Sequence, residues 1–214
     1  MRGVRSMLQA AALNETVNFP MPGFFSVYNS MAAVAAVLES GIHPREIADG
    51  IQKLHAVKGR SEVIPTGRDF TVICDYAHSP DGLENILPSL KQYVQGRLIT
   101  VFGCGGDRDR TKRPLMGEAA ARHSDYVVIT SDNPRSEDPM DIIREIIPGV
   151  EQLNTPYLVE PDRRQAIFKA VQMAKKGDVI VLAGKGHEDY QVLKDKTVPM
   201  DERIIVGEAL KTLQ

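Results

Sequence analysis

From about residue 68 onward, short apolar runs alternate with helical stretches, and each run is apolar at nearly every position. Runs at 70–74, 97–102, 126–130, 157–159 and 179–183 are each short enough for one strand. A strand buried on one face shows period-two alternation, whereas a strand covered on both faces does not. The intervening stretches at 80–94, 112–123, 140–147, 162–175 and 201–213 read as helices, and the fourth carries Ala166, Ile167, Ala170, Val171 and Ala174 on one side. The pattern predicts an α/β fold, a Rossmann-like, mostly parallel sheet with helices on both faces. Near the end, 191–193 and 197–198 flank a polar Lys194-Asp195-Lys196 turn and read as a small hairpin.

Residues 1–62 differ in kind. Up to about residue 25 the periodicity is weak, with a Pro20-Met21-Pro22-Gly23 turn cluster. Residues 26–40 are alanine-rich and helical, stopped by Gly41. A second helix begins at Pro44, with Ile47, Ile51 and Leu54 as its apolar stripe. Two helices and a loop do not make a layered domain, so this stretch reads as the remnant of a larger one. The expected division is 1–62 and 63–214.

Composition excludes several classes. The 26 basic and 28 acidic residues give a net charge of −2, without the basic footprint of a nucleic-acid binder. No apolar run is long enough for a membrane span, and none follows the basic start as a signal peptide requires. Cys74 and Cys104 end strand-like runs and read as reduced, packed thiols of a cytoplasmic protein.

The unusual polar clusters all follow strands. Asp75-Tyr76-Ala77-His78-Ser79 follows the first, Gly103-Cys104-Gly105-Gly106-Asp107-Arg108-Asp109 the second, Ser131-Asp132-Asn133-Pro134-Arg135 the third, and Gly184-Lys185-Gly186-His187-Glu188-Asp189 the fifth. Parallel strands would gather these clusters on one rim, where such sheets bind ligands. The glycine spacing fits neither G-x-x-x-x-G-K-[ST] nor G-x-G-x-x-G. The glycines therefore either cradle an anion or make a tight turn, with Arg108, Arg110, Lys112 and Arg113 adding positive charge nearby. An Asn-Pro step stiffens the loop that carries Arg135, and a planar guanidinium can hold a carboxylate by two parallel hydrogen bonds. The alternative is a turn with a surface arginine. Glu188 offers the opposite charge, so the rim has what a zwitterionic amino acid needs. His187 has no partner ligands near it in sequence and reads as structural. His78 follows Asp75 by three residues, and its role stays open.

At these residues the chain resembles the Mur ligases of bacterial cell-wall synthesis, from about Phe24 to the end. Asp132-Asn133-Pro134-Arg135 is similar to the signature of members that take diaminopimelate rather than lysine, and Gly184-Lys185-Gly186-His187-Glu188-Asp189-Tyr190-Gln191 is similar to another family motif. The resemblance implies an ATP-dependent amide-forming ligase that adds meso-diaminopimelate to UDP-N-acetylmuramoyl-L-alanyl-D-glutamate through an acyl phosphate. It implies that Arg108, Asn133 and Arg135 hold diaminopimelate carboxylates, that Asp132 and Pro134 shape the loop, and that Gly184 and Glu188 hold an amino end. It further implies nucleotide contacts at Asn29, Arg60, Asp75 and His78.

The family's P-loop, carbamylated lysine and magnesium-holding acids have no counterpart in these 214 residues. The expectation is a truncated ATPase domain followed by an amino-acid-binding domain, with ATP and Mg2+ as cofactors whose metal ligands lie elsewhere. Such a chain is expected to be a monomer without catalytic or metal-binding residues of its own and inactive alone. The alternatives are a lysine-adding or folylpolyglutamate-type ligase, and a non-catalytic amino-acid-binding fragment.

Overall fold

The computed structural model describes residues 4–10, 13–19, 24–53 and 57–213, with side chains from residue 26 onward. The Pro20–Gly23 turn cluster and Leu54 lie outside the described residues. The chain divides into two compact units, Met1–Val57 and Lys58–Gln214.

In the first unit, β1 (Val4–Ala10) and β2 (Leu13–Phe19) form an antiparallel pair. The weak periodicity of these residues gave no sign of it. α1 spans Phe24–Glu39 and α2 spans Pro44–Gln52. Gly41, at φ +80°, ends the first. His43 and Glu46 cap the second reciprocally, and Pro44 occupies its first turn. Val34, Ile47, Ala48 and Ile51 form a small apolar cluster. The unit is thus a hairpin with two helices, not helices alone.

The second unit holds a six-stranded sheet ordered β3-β4-β8-β5-β6-β7. Its strands are β3 (Glu62–Ile64), β4 (Thr71–Asp75), β5 (Leu98–Phe102), β6 (Tyr126–Ile129), β7 (Tyr157–Val159) and β8 (Val179–Ala183). β4, β8, β5, β6 and β7 run parallel, and β3 adds an antiparallel edge. That edge strand was not foreseen, because three residues of mixed polarity carry no period.

The helices follow the strands as the alternation requires. α3 (Pro80–Lys91), α4 (Lys112–His123), α5 (Pro139–Glu151), α6 (Arg163–Met173) and α7 (Glu202–Lys211) complete the layers. Ser79, Asp138, Asp162 and Asp201 cap α3, α5, α6 and α7. Val72, Cys74, Ile99, Val101, Ile180 and Leu182 point to one face and pack on Ala166, Ile167, Ala170, Val206 and Ala209 of α6 and α7. Their alternates Ile73, Leu98, Phe102, Val127 and Val181 are equally buried on the other face. There α3, α4 and α5 lie side by side. The predicted hairpin is present as β9 (Tyr190–Val192) and β10 (Thr197–Pro199).

Candidate amino-acid site at the strand ends

Because β4, β8, β5 and β6 are parallel, the loops after all four open on one edge. They line a cleft of about 330 Å3. Tyr76 and His78 come from the β4 loop, Gly103, Cys104, Gly105, Arg108 and Asp109 from the β5 loop, Lys112 and Arg113 from the start of α4, Asp132, Asn133 and Arg135 from the β6 loop, and Gly184 and Glu188 from the β8 loop. Arg135 and Glu188 therefore share one cleft, with Arg108, Asp132, Asn133 and Gly184 between or beside them.

The glycine loop is built by backbone approach. A Cβ on Gly103 would meet the Thr130 carbonyl oxygen at 2.1 Å, and one on Gly106 the Pro134 carbonyl oxygen at 1.9 Å. Only glycine allows the β5 and β6 loops to touch in this way. The Gly106 N–H donates to the Asn133 carbonyl at 2.9 Å, and the Arg135 guanidinium donates back to the Gly106 carbonyl at 2.7 Å. Arg135 sits at φ +52°, left-handed backbone that holds its side chain across the loop. Pro134 is buried behind it. Gly103 and Gly106 thus serve loop-to-loop packing.

The basic residues separate into two groups. Arg113 is buried, and its guanidinium donates to Glu137 at 2.7 and 2.9 Å and to Glu145 at 2.8 Å. Arg110 pairs with Glu145 as well. Arg113 holds the Glu137 carboxyl down at about 2. Arg108 and Lys112 line the cleft and form no ion pair with a described residue. So two of the four cations are neutralised, and two remain for a ligand.

Asn133 is only 4% exposed. Its Oδ1 accepts from Lys185 Nζ and from the Val192 N–H, both at 2.9 Å. Two donors on the oxygen fix the amide orientation, and Nδ2 then donates to Glu188 at 3.0 Å. Asp132 Oδ1 accepts from the Asn133 N–H at 2.7 Å, and the Asp132 carbonyl accepts from Gln191 Nε2 at 2.7 Å. A Cβ on Gly184 would reach 2.7 Å from Asp132 Oδ2, so this glycine, at φ +117°, leaves room for the carboxylate.

The nucleotide candidates belong to both units. Asn29 lies exposed on α1 of the first unit. Asp75 is buried and turned inward, accepting from the Ser61 and Ala77 N–H groups at 2.7 and 2.8 Å. It anchors the chain at residue 61, where φ is +44°. Tyr76 has Arg60 5.0 Å from its ring, and the rings of His78 and His187 at 4.7 and 5.1 Å. Arg60, His78 and His187 are exposed at this corner. Among the described residues no group of three or more His, Cys, Asp or Glu side chains is arranged to hold a metal. No described helix is long and apolar enough to cross a membrane.

Beneath the cleft lies a buried ionic layer that the sequence did not disclose. Arg163 of α6 and Glu202 of α7 form a fully buried pair at 2.8 Å. Arg163 also donates to the Ser131 and Ala183 carbonyls at 3.3 and 2.9 Å, tying together the ends of β6 and β8. Glu202 accepts from the Cys74 thiol at 3.1 Å. Arg203 pairs with Glu62 and donates to the Gly186 carbonyl at 3.0 Å. A charge at a helix start invites a solvent reading, and only packing reveals otherwise.

The family model described as Mur ligase, glutamate ligase domain, matches residues 59–186. The chain is 52% identical over 214 residues to UDP-N-acetylmuramoyl-L-alanyl-D-glutamate–2,6-diaminopimelate ligase 1 of Clostridium acetobutylicum, covering 99% of this chain and 44% of that protein. It is 51% identical over 208 residues to the ligase of the same substrates from Caldanaerobacter subterraneus, covering 97% and 43%. A solved structure of a UDP-N-acetylmuramoyl-L-alanyl-D-glutamate–2,6-diaminopimelate ligase superposes with TM-score 0.72 at 38% identity, covering 97% of this chain and 42% of that one. The chain thus spans less than half the length of these relatives. The first match reaches across nearly the whole chain, so the likeness begins well before Phe24.

Proposed function

This chain belongs to the Mur ligase family, and from that premise we propose that it supplies the amino-acid-binding part of an ATP-dependent ligase. The proposed reaction adds meso-diaminopimelate to UDP-N-acetylmuramoyl-L-alanyl-D-glutamate in peptidoglycan synthesis. One observation carries the reading. Three cations without a carboxylate partner among the described residues, Arg108, Lys112 and Arg135, share a cleft with the carboxylates of Asp132 and Glu188. Diaminopimelate has two carboxylates and two ammonium groups, so its charges are of the signs that lining can pair with.

In this reading Arg135 and Arg108 hold carboxylate ends, and Glu188 and Asp132 take an ammonium. Arg135 already spends one nitrogen on the Gly106 carbonyl, which holds the guanidinium plane before a ligand arrives. Such preorganisation lowers the ordering cost of binding. The far end is clamped and the other amine projects toward the cleft mouth. Fixing an amine beside its electrophile supplies most of the rate advantage in an amide-forming step of this kind.

ATP, when bound, would activate the D-glutamyl carboxylate as an acyl phosphate. Arg60 and His78, exposed beside Tyr76, suit an edge contact to a nucleotide. For Asn29, in the first unit, a base contact rests on the resemblance alone. Asp75 is occupied by Ser61 and Ala77, which leaves it the task of holding the residue 59–62 turn.

Calorimetric titration of the 214-residue chain tests the reading. Meso-diaminopimelate is expected to bind, and L-lysine, which lacks one carboxylate, to bind roughly ten- to a hundredfold more weakly, the worth of a charged hydrogen bond of about 1.5–3 kcal/mol. Arg135→Ala should lose a similar factor with the fold intact. A folded chain that binds both amino acids equally, or neither, overturns the assignment.

A further inference from the structure

The resemblance gives Lys185 no role of its own, yet it lies buried against Asn133 and Glu188, which line the cleft. Its side chain is 0% exposed, unusual for a lysine. Each of its three N–H bonds has an acceptor: Asn133 Oδ1 at 2.9 Å, the Tyr190 carbonyl at 2.9 Å and Glu188 Oε2 at 3.4 Å. The three acceptors come from three segments, the β6 loop, the β9 strand and the β8 loop. The ammonium is saturated and shielded, so it is placed to organise other groups and not to touch a ligand.

We propose that Lys185 is a positioning residue, which sets the Asn133 amide and the Glu188 carboxylate in the geometry that receives an ammonium group of the amino acid. The role rests on reading this cleft as a diamino-acid site. The geometry gives the reason for a lysine here. With Lys185 and the Val192 N–H both donating to Asn133 Oδ1, the amide nitrogen can only face Glu188. Glu188 is then fixed by two donors on one oxygen, Oε2. That leaves Oε1 as the oxygen for a ligand ammonium. Burial depresses the Lys185 pKa, while the Asp132 and Glu188 carboxylates oppose that shift.

The test pairs a measurement with ligand and one without. In Lys185→Met, meso-diaminopimelate affinity is expected to fall roughly ten- to a hundredfold. In Glu188→Gln it falls by a like factor. The double variant should be little worse than either alone, since Lys185 acts through Glu188. Losses that multiply overturn the proposal, because they describe a general structural role. The ligand-free measurement is amide hydrogen exchange. Lys185→Met should speed exchange at Val192, whose N–H donates to Asn133, and at Arg135, whose N–H donates to the Val192 carbonyl at 3.1 Å. The sheet amides of β5 and β8 should keep their protection. Unchanged exchange at Val192, or a uniform loss everywhere, overturns the proposal. Faster exchange confined to those loops in a chain that does not bind diaminopimelate would sink the ligand assignment and leave the positioning role standing.

Discussion

Gly106 lies so close to Pro134 that a Cβ at residue 106 would sit 1.9 Å from the proline carbonyl oxygen. Atoms cannot share that space, so Gly106→Ala must part the β5 and β6 loops. Parting them breaks the Gly106 to Asn133 hydrogen bond and moves the carbonyl that holds Arg135. We expect a loss of about 1–3 kcal/mol in urea unfolding, and weaker amino-acid binding on top of it. Gly207 is the control. It lies in α7 with nothing within 4 Å of a built Cβ. Gly207→Ala should stabilise the chain by up to about 1 kcal/mol, the helix propensity difference. If the two substitutions shift the urea midpoint alike, the loop packing described here is wrong.

Arg108 and Arg113 stand five positions apart in sequence and have opposite tasks. Arg113 is 1% exposed and neutralised by Glu137 and Glu145. Removing it strands two carboxylates, and Arg113→Ala should cost roughly 3–5 kcal/mol of stability. Arg108 is exposed and forms no ion pair with a described residue. Arg108→Ala should leave the melting temperature within a degree or two, about the scale of a neutral surface change, and weaken meso-diaminopimelate binding. A calorimetric scan with a titration on each variant separates the two. A large stability loss in Arg108→Ala would remove it from the ligand site.

Acid should unfold this protein through its depressed carboxyls. The Arg113 guanidinium holds Glu137 at about 2. Arg203 lowers Glu62. Burial pulls Asp178 upward, but hydrogen bonds from the Arg97 side chain and from the backbone outweigh it and leave it low. For each, the folded pKa lies below the unfolded one. Their contribution is complete above the unfolded carboxyl range, near 4, and is lost as the pH falls toward the folded values. Thermal melts between pH 6 and pH 2 should show a steep decline below about pH 4. Glu137→Gln should start less stable at neutral pH and decline less. An unchanged slope in that variant would show that Glu137 carries no linkage.

The parallel strands were legible because burial on both faces writes continuous apolar runs, as in Val179–Ala183. The rim was legible because each polar cluster directly follows such a run, so Arg135 and Glu188 could be placed together from order alone. Other features had no local signature. β3 is three residues long, and its pairing with β4 depends on the turn that Asp75 anchors. Lys185, Arg113 and Arg163 are charged residues that ordinarily face water. Each is held by a partner distant in sequence, Glu137 for Arg113 at 24 residues, Glu202 for Arg163 at 39 and Asn133 for Lys185 at 52. The inward turn of Asp75 had the same cause, since its partner Ser61 lies across the antiparallel edge.

The two cysteines give a direct reading of how tightly the rim is closed from beneath. Cys104 is 6% exposed although it lines the cleft, and burial, with Asp132 nearby, pushes its thiol up to about 12. Cys74 is fully buried, and burial with the Glu202 carboxylate raises its pKa still further. The thiolate is the reactive form, so both should be nearly inert at pH 8. A disulfide reagent is expected to find almost no thiol in the native chain and two in guanidinium. In mild urea the labelling rate should rise in step with global unfolding, since neither group is reached by local opening of an exposed loop. Fast labelling of Cys104 in the absence of denaturant would mean that the cleft floor opens on its own. In that event the arrangement of Asn133 and Glu188, which line the same cleft, would be one conformation among several, and not a site held ready for its ligand.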